Sequence, residues 1–190
     1  MQAIINSLVA RCVANGYILE QQAPWLKYGI EKRLVSFIVT IPFLIFGFLI
    51  SNIPLTMAYY IGFRYLRSRT NGLHANSVIG CLIASMLCEF VFLGLVFPAL
   101  DSNVILLLLA IAAIIIFFLA PYKHPNMELS EEEIAICAKS SKIRLGILLV
   151  VCFITNIFNF KHITNGVALS IVTTAVMLVL AYILKERRQS

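Results

Sequence analysis

Charged residues are scarce in this chain of 190 residues. Only 13% of its residues are Asp, Glu, Lys or Arg, whereas 61% are hydrophobic. A soluble domain carries about 25% charged residues and about 45–50% apolar ones. A domain of this size has too much surface for its volume to hide such an excess of apolar side chains. The composition therefore excludes an ordinary soluble domain and predicts a protein that has lipid as its solvent.

The sequence also lacks the motifs of several other classes. Its five cysteines are odd in number and form no CxxC pair, which argues against a disulfide scaffold or a zinc ribbon. We predict neither a metal nor a cofactor. No cleavable signal is expected, because no basic segment precedes an apolar core and a small-residue cleavage site. The net charge of +6 would suit nucleic acid, but the basic residues fall between apolar runs, so the expected partner is the lipid bilayer.

Six apolar runs follow one another along the chain. They cover residues 34–50, 54–63, 78–100, 104–120, 145–160 and 163–184. A spanning helix needs about 20 mostly apolar residues. The second run reaches this length only if it includes Arg64 and Arg67 with snorkelling side chains. We therefore predict an all-α polytopic membrane protein, a single integral membrane domain over residues 1–190 with about six transmembrane helices between residues 34 and 184. A four-span arrangement, with the run that holds Cys81 only partly inserted, stays open.

Two segments flank or interrupt these runs. Residues 1–33 begin with Ile5, Leu8 and Val9 at helical spacing and Arg11 on the opposite side, which predicts an N-terminal amphipathic helix in the membrane interface. An ordinary solvated helix is the alternative. Residues 121–142 are polar and predict a cytoplasmic loop with a short helix, because Ser130 before three glutamates is typical of a helix N-cap.

The basic residues indicate the orientation of this arrangement. Of the 15 lysines and arginines, all but Lys161 fall on the same side of the six-span map. Cytoplasmic loops carry the excess of Lys and Arg in membrane proteins. We therefore predict a multi-pass protein with a cytoplasmic N-terminus and a cytoplasmic C-terminus.

A histidine and a cysteine are the best candidates for chemistry. His74 precedes Cys81 by seven residues, which on a helix means two turns and about 10 Å. A direct contact requires His74 to fold back from a loop, ahead of a helix that starts near Asn76 or Ser77. A helix N-terminus and a neighbouring imidazole both favour the reactive thiolate. The alternative is that Cys81 fills the core and His74 is an ordinary loop residue.

Three further polar residues are candidates for supporting roles. Arg67 could hold a substrate carboxylate with two hydrogen bonds, or could simply anchor the cytoplasmic side. Asn76 is a candidate for orienting His74 by proximity. Glu89 lies inside the third apolar run, where carboxylates are rare and often functional. Because it lies about two turns beyond Cys81, we expect it to pair with a polar group on another helix or to be protonated, and not to act directly on the substrate.

The region around this pair resembles a known active site. Arg67, Gly72, His74 and Cys81 are spaced as an arginine, three residues, two glycines, one residue, a histidine, six residues and a cysteine, with Asn71 in place of the first glycine. This pattern resembles the active-site region of the accessory gene regulator B (AgrB) family, which comprises bacterial membrane peptidases that process quorum-sensing propeptides. Asparagine also tolerates left-handed backbone conformations. Residues 28–31 and the Ala120-Pro121 start of the polar loop are similar to the family as well.

The resemblance implies a membrane-embedded cysteine endopeptidase in the bacterial cell membrane. Cys81 would attack the propeptide and form a thioester acyl-enzyme, with His74 as general base and acid. A cysteine or serine of the substrate would then close a thiolactone or lactone. Arg67 and Gly72 would bind the substrate or support the site. The expected partners are a propeptide with an amphipathic helix and an acidic C-terminal tail, and a second copy in a homodimer. The alternative is a small transporter or channel-like protein in which Glu89 faces a polar pathway.

Overall fold

The structure is a computed structural model that describes residues 2–70, 78–122 and 131–189. Within these ranges every regular element is helical and no strand occurs, which confirms the all-α class. Three stretches of the described chain are long and apolar enough to cross a membrane: Leu82–Ala99, Ser102–Leu119 and Lys161–Leu184. They correspond to the third, fourth and sixth predicted runs. The count of six spans stays a prediction.

The helices follow the predicted runs closely. They are α1 (Gln2–Ala14), α2 (Ala23–Ile50), α3 (Ile53–Thr70), α4 (Val78–Glu89), α5 (Phe97–Ala99), α6 (Ser102–Leu119), α7 (Glu131–Ile157) and α8 (Lys161–Gln189), with a 3₁₀ turn at Glu20–Gln22 and a π-helical stretch at Phe90–Val96. The π-helical stretch joins α4 to α5 without a break. Arg64 and Arg67 lie inside α3, as expected for the second run.

One boundary differs from the prediction. Residues 131–142, predicted as part of a loop with a short helix that begins after Ser130, form the first turns of α7, which continues without interruption into the fifth apolar run. Three glutamates occupy the first turn, where they interact favourably with the helix dipole. No proline or glycine lies between these glutamates and the apolar run. The first glycine of α7 is Gly146, which already belongs to that run. The sequence therefore has nothing there that would end a helix.

The chain divides into two compact units, Met1–Pro42 and Phe43–Ser190. In the first unit, α1 has Ile5 and Val9 buried one turn apart, whereas Leu8 is half exposed. The helix expected from the periodicity is thus present and has one buried side. Its amphipathic, interfacial position stays a prediction.

In the second unit, α8 is the central helix. About two thirds (67%) of Lys161–Leu184 is buried, against 22% of Ser102–Leu119 and 17% of Leu82–Ala99. The buried hydroxyls of Ser170, Thr173 and Thr174 donate to backbone carbonyls of α8 itself, at 2.7–2.8 Å. Because their hydrogen bonds are made within the helix, these polar residues are tolerated in a fully packed position.

The beginnings of α3, α6 and α8 lie together at one end of the second unit. The side-chain amide of Asn52 lies 3.1 Å from Nδ1 of His162, which joins the start of α3 to the start of α8. Asn165 Nδ2 donates to Ser102 Oγ at 3.0 Å, which joins α8 to the start of α6. We call this end, marked by Asn52, Ser102 and His162, the turn end. The three helices therefore run in the same direction.

The opposite end is where these helices finish. The hydroxyl of Tyr182 on α8 donates to the carbonyl of Leu119, the last residue of α6, at 3.0 Å. We call this end, marked by Thr70, Leu119 and Tyr182, the loop end. Helix α7 runs the other way, because Arg144 near its start contacts the end of α3, whereas Thr155 near its finish accepts a hydrogen bond from Thr164 Oγ1 at the start of α8.

Connections at the turn end are short for identifiable reasons. Asn52 caps α3, since its Oδ1 accepts the backbone N–H of Leu55 at 3.0 Å. Asn159 closes the turn between α7 and α8 with φ of 59°, a left-handed conformation that asparagine adopts more readily than most residues. These two residues allow α2–α3 and α7–α8 to reverse direction within a few residues.

Candidate functional site

The sequence-predicted site falls at the junction between α3 and α4. Asn71, Gly72, His74 and Asn76 belong to residues 71–77, which lie outside the described residues. For Cys81 the structure describes its place as the fourth residue of α4 but not its side chain. The distance between His74 and Cys81 therefore stays a prediction.

The direction of α4 places this junction at the loop end. The rings of Phe97 in α5 and His162 lie 6.3 Å apart at the turn end. Because α4 is continuous with α5, its first residue, Val78, lies on the side of the loop end. Arg67 in the last turn of α3 and Cys81 near the start of α4 are thus brought to the same end of the unit.

Arg67 differs in its surroundings from Arg64, which precedes it by one turn of α3. It is half-buried, and its Cζ lies 5.4 Å from the ring centroid of Phe63. Arg64, by contrast, is exposed and donates to the hydroxyl of Tyr60 on its own helix at 3.1 Å.

Two residues from distant parts of the chain contact the last turns of α3. The backbone N–H of Tyr122 donates to the carbonyl of Thr70, the last residue of α3, at 3.0 Å. Arg144 Nη1 donates to the carbonyl of Tyr65 at 2.7 Å and also to Ser68 Oγ. Sequence reasoning missed both contacts. It placed Arg144 only among the cytoplasmic cations, because residues so far apart in sequence share no local pattern.

The surroundings of Glu89 bear on the expectation that it either pairs with a polar group on another helix or is protonated. It is fully buried, and neither carboxylate oxygen has a hydrogen-bond partner in the described part of the chain, so the expected polar partner is not found there. The carboxylate instead packs against Gly47 of α2 and lies near Thr56 of α3. The Thr56 hydroxyl donates to the Gly47 carbonyl at 3.1 Å and is therefore already engaged. The π-helical stretch begins directly after Glu89.

The thiols of Cys88 and Cys152 pack against neighbouring residues of the helical unit. Cys88 Sγ lies 3.6 Å from the Met177 sulfur, and Cys152 Sγ lies 3.7 Å from the carbonyl of Thr164. Neither contact involves a base that could activate a thiol.

A helical bundle with long apolar helices and arginines gathered near one end of α3 is an integral membrane protein. The model of the accessory gene regulator B (AgrB) family matches residues 2–182, nearly the whole chain, so the chain belongs to that family. It is thus a membrane protein of agr quorum-sensing peptide processing, and the resemblance found in the sequence is confirmed. Comparisons with curated proteins and with solved structures gave no significant match.

Proposed function

We propose that the chain is a membrane cysteine endopeptidase that cleaves and cyclises a quorum-sensing propeptide. One observation carries the proposal: in a chain that belongs to the AgrB family, Arg67 and Cys81 lie at the same end of the helical unit. His74 is four residues beyond the end of α3 and so falls between them in sequence. The reactive groups would meet near the connection between α3 and α4.

The chemistry uses Cys81 as nucleophile and His74 as proton carrier. The Cys81 thiol gives its proton to His74, its sulfur attacks the carbonyl carbon of the scissile peptide, and the carbon–nitrogen bond breaks. His74 gives its proton to the departing amine, which leaves a thioester on Cys81. A cysteine or serine of the substrate then attacks this thioester, loses its proton to His74 and releases the Cys81 sulfur. The product is a cyclic thiolactone or lactone, favoured over hydrolysis where water is excluded.

The proposed topology has six spans, with the loop end and both termini in the cytoplasm. The alternating directions of the helices support it, because α3, α6 and α8 run towards the loop end and α4 and α7 run away from it. Arg67 and Arg144 lie at the loop end, whereas Lys161 starts α8 at the turn end. A propeptide with an acidic tail would meet favourable charge at the loop end.

The transport alternative receives no such support. It requires Glu89 to face a polar pathway through the membrane. The Glu89 carboxylate is instead fully buried beside Gly47 and Thr56. The packing around Glu89 therefore favours a supporting role over a transport role.

The test is co-expression with a candidate propeptide and measurement of the cleaved product by mass spectrometry. Cys81→Ala and His74→Ala are expected to abolish cleavage, since a positioned general base alone contributes about 10²–10⁴-fold. Cys88→Ala is the matched control, because Cys88 lies on the same face of α4 and contacts Met177. It is expected to leave cleavage unchanged. Continued cleavage by both Cys81→Ala and His74→Ala would exclude the mechanism.

A further inference from the structure

The last turns of α3 determine where the proposed site begins. Arg67 lies in the last turn, and Thr70 ends the helix. The chain then passes directly into the segment that holds His74. Any shift in the end of α3 would therefore move Arg67 together with Thr70, the residue after which that segment begins.

Arg144 of α7 gathers three groups of α3 around one guanidinium. Nη1 donates to the Tyr65 carbonyl at 2.7 Å and to Ser68 Oγ, while Ser68 Oγ itself donates to the Tyr65 carbonyl at 3.0 Å. The Arg144 Cζ lies 4.6 Å from the Tyr65 ring centroid. A planar guanidinium can stack on a ring and donate along its edge at the same time, which a lysine ammonium cannot.

The position of Arg144 also suits the electrostatics of α3. The C-terminal end of a helix carries partial negative charge, so a cation there is favourable. Arg144 is half-buried, which weakens screening of this interaction by solvent. Lys142, two residues earlier on α7, is exposed and lies over the Phe117 ring of α6 at 4.4 Å. Lys142 and Arg144 thus contact different helices, and Arg144 reaches the backbone of α3.

We propose that Arg144 is a positioning residue of the peptidase, which fixes the last turns of α3 and through them Arg67. The inference rests on the proposed function. Arg144 acts on the reaction through α3 and does not touch the reacting atoms. A displacement of about 1 Å in such a site costs up to about 100-fold in rate.

The test compares Arg144→Lys with Lys142→Gln in the full-length protein in lipid nanodiscs, with a synthetic propeptide. Arg144→Lys keeps the charge but loses the stacking of the guanidinium on the Tyr65 ring that accompanies its hydrogen bonds. It is expected to lower kcat by about 10- to 100-fold with little change in KM. Lys142→Gln is expected to match the parent. Adding Ser68→Ala to Arg144→Lys is expected to cost little more, because both changes break the same contact.

A second measurement separates positioning from a general effect on folding. Mass spectrometry follows alkylation of Cys81 by iodoacetamide, with Cys88 in the same molecule as the internal reference. Arg144→Lys is expected to slow alkylation of Cys81 and not that of Cys88, with thermal unfolding unchanged. A parent-like kcat and Cys81 alkylation rate in Arg144→Lys would overturn the inference, as would a loss of activity that only follows a loss of folded protein.

The inference and the proposed function fail in distinguishable ways. If Cys81→Ala still cleaves the propeptide, the proposed function is wrong and the role of Arg144 falls with it. If Cys81→Ala is inactive and Arg144→Lys is as fast as the parent, the peptidase stands and only the positioning role is wrong.

Discussion

Glu89 lies in a space that a glycine leaves open. An ideal Cβ on Gly47 would overlap Oε1 of Glu89 and Cγ2 of Thr56. Burying an ionised carboxylate without a partner costs free energy. Electrostatic interactions therefore do not stabilise Glu89 here, and packing holds its side chain in place. The sequence singled out Glu89, because a carboxylate inside an apolar run is conspicuous. Gly47 gave no such signal, since glycine is common in transmembrane helices.

This arrangement predicts opposite outcomes for two small substitutions. Gly47→Ala is expected to lower the free energy of unfolding by about 1–3 kcal/mol, because the added methyl group overpacks the site. Glu89→Gln is expected to be at least as stable as the parent, because the amide fills the same volume without a buried charge. Thermal unfolding of the detergent-solubilised protein measures both. A Gly47→Ala protein that melts with the parent would show that the carboxylate has room to move.

Arg67 could be identified as a candidate site residue from the sequence, whereas the role of Arg144 could not. The spacing to Gly72, His74 and Cys81 picked out Arg67, because a motif is a local pattern. Arg144 contacts Tyr65 across 79 positions of sequence, and this pairing exists only once α7 packs beside α3. Its signal in the sequence was charge alone, which is equally well explained by membrane topology.

At the scale of the helices, α3 and α8 approach each other closely at Gly166. A Cβ on Gly166 would lie 2.6 Å from the Leu55 carbonyl oxygen and 2.8 Å from Ala58 Cβ. Small residues allow the backbones of membrane helices to pack at such short range. Hydropathy predicted the extent of α8 well. It could not predict that α8 is central, because an apolar helix facing lipid has the same composition as one facing protein.

The close approach predicts a large effect of one methyl group. Gly166→Ala is expected to destabilise the protein by about 1–3 kcal/mol, because the opposing carbonyl belongs to a helix backbone that cannot turn away. Gly146→Ala on α7 is the matched control, since a Cβ there meets nothing within 4 Å. It is expected to be neutral or to stabilise by about 0.5–1 kcal/mol. Equal melting temperatures for the two variants in the same detergent would contradict the packing of α3 against α8.

At the scale of the whole molecule, length and hydropathy predicted the helices, whereas the orientation that charge predicts stays a prediction. The all-α class and the runs that became α6 and α8 follow from composition, because a helix in lipid needs little beyond an apolar stretch of sufficient length. The polar hydrogen bonds that mark the ends, such as Tyr182 to Leu119 and Asn165 to Ser102, required the packed structure. The proposed site depends on both, since the motif supplies the candidate reactive residues and the directions of α3 and α4 bring Arg67 and Cys81 to the same end.

The orientation of these ends gives the last prediction. Asp101→Cys and Lys161→Cys place exposed thiols at the turn end, whereas Glu132→Cys and Lys139→Cys place them near the start of α7, beyond the loop end. The parent for each variant has its five native cysteines replaced by alanine. A membrane-impermeant maleimide is expected to label the first pair in intact cells and the second pair only after permeabilisation, because the basic loop end faces the cytoplasm. The reverse pattern would invert the proposed topology. Labelling of both pairs in intact cells would mean that α7 does not cross the membrane.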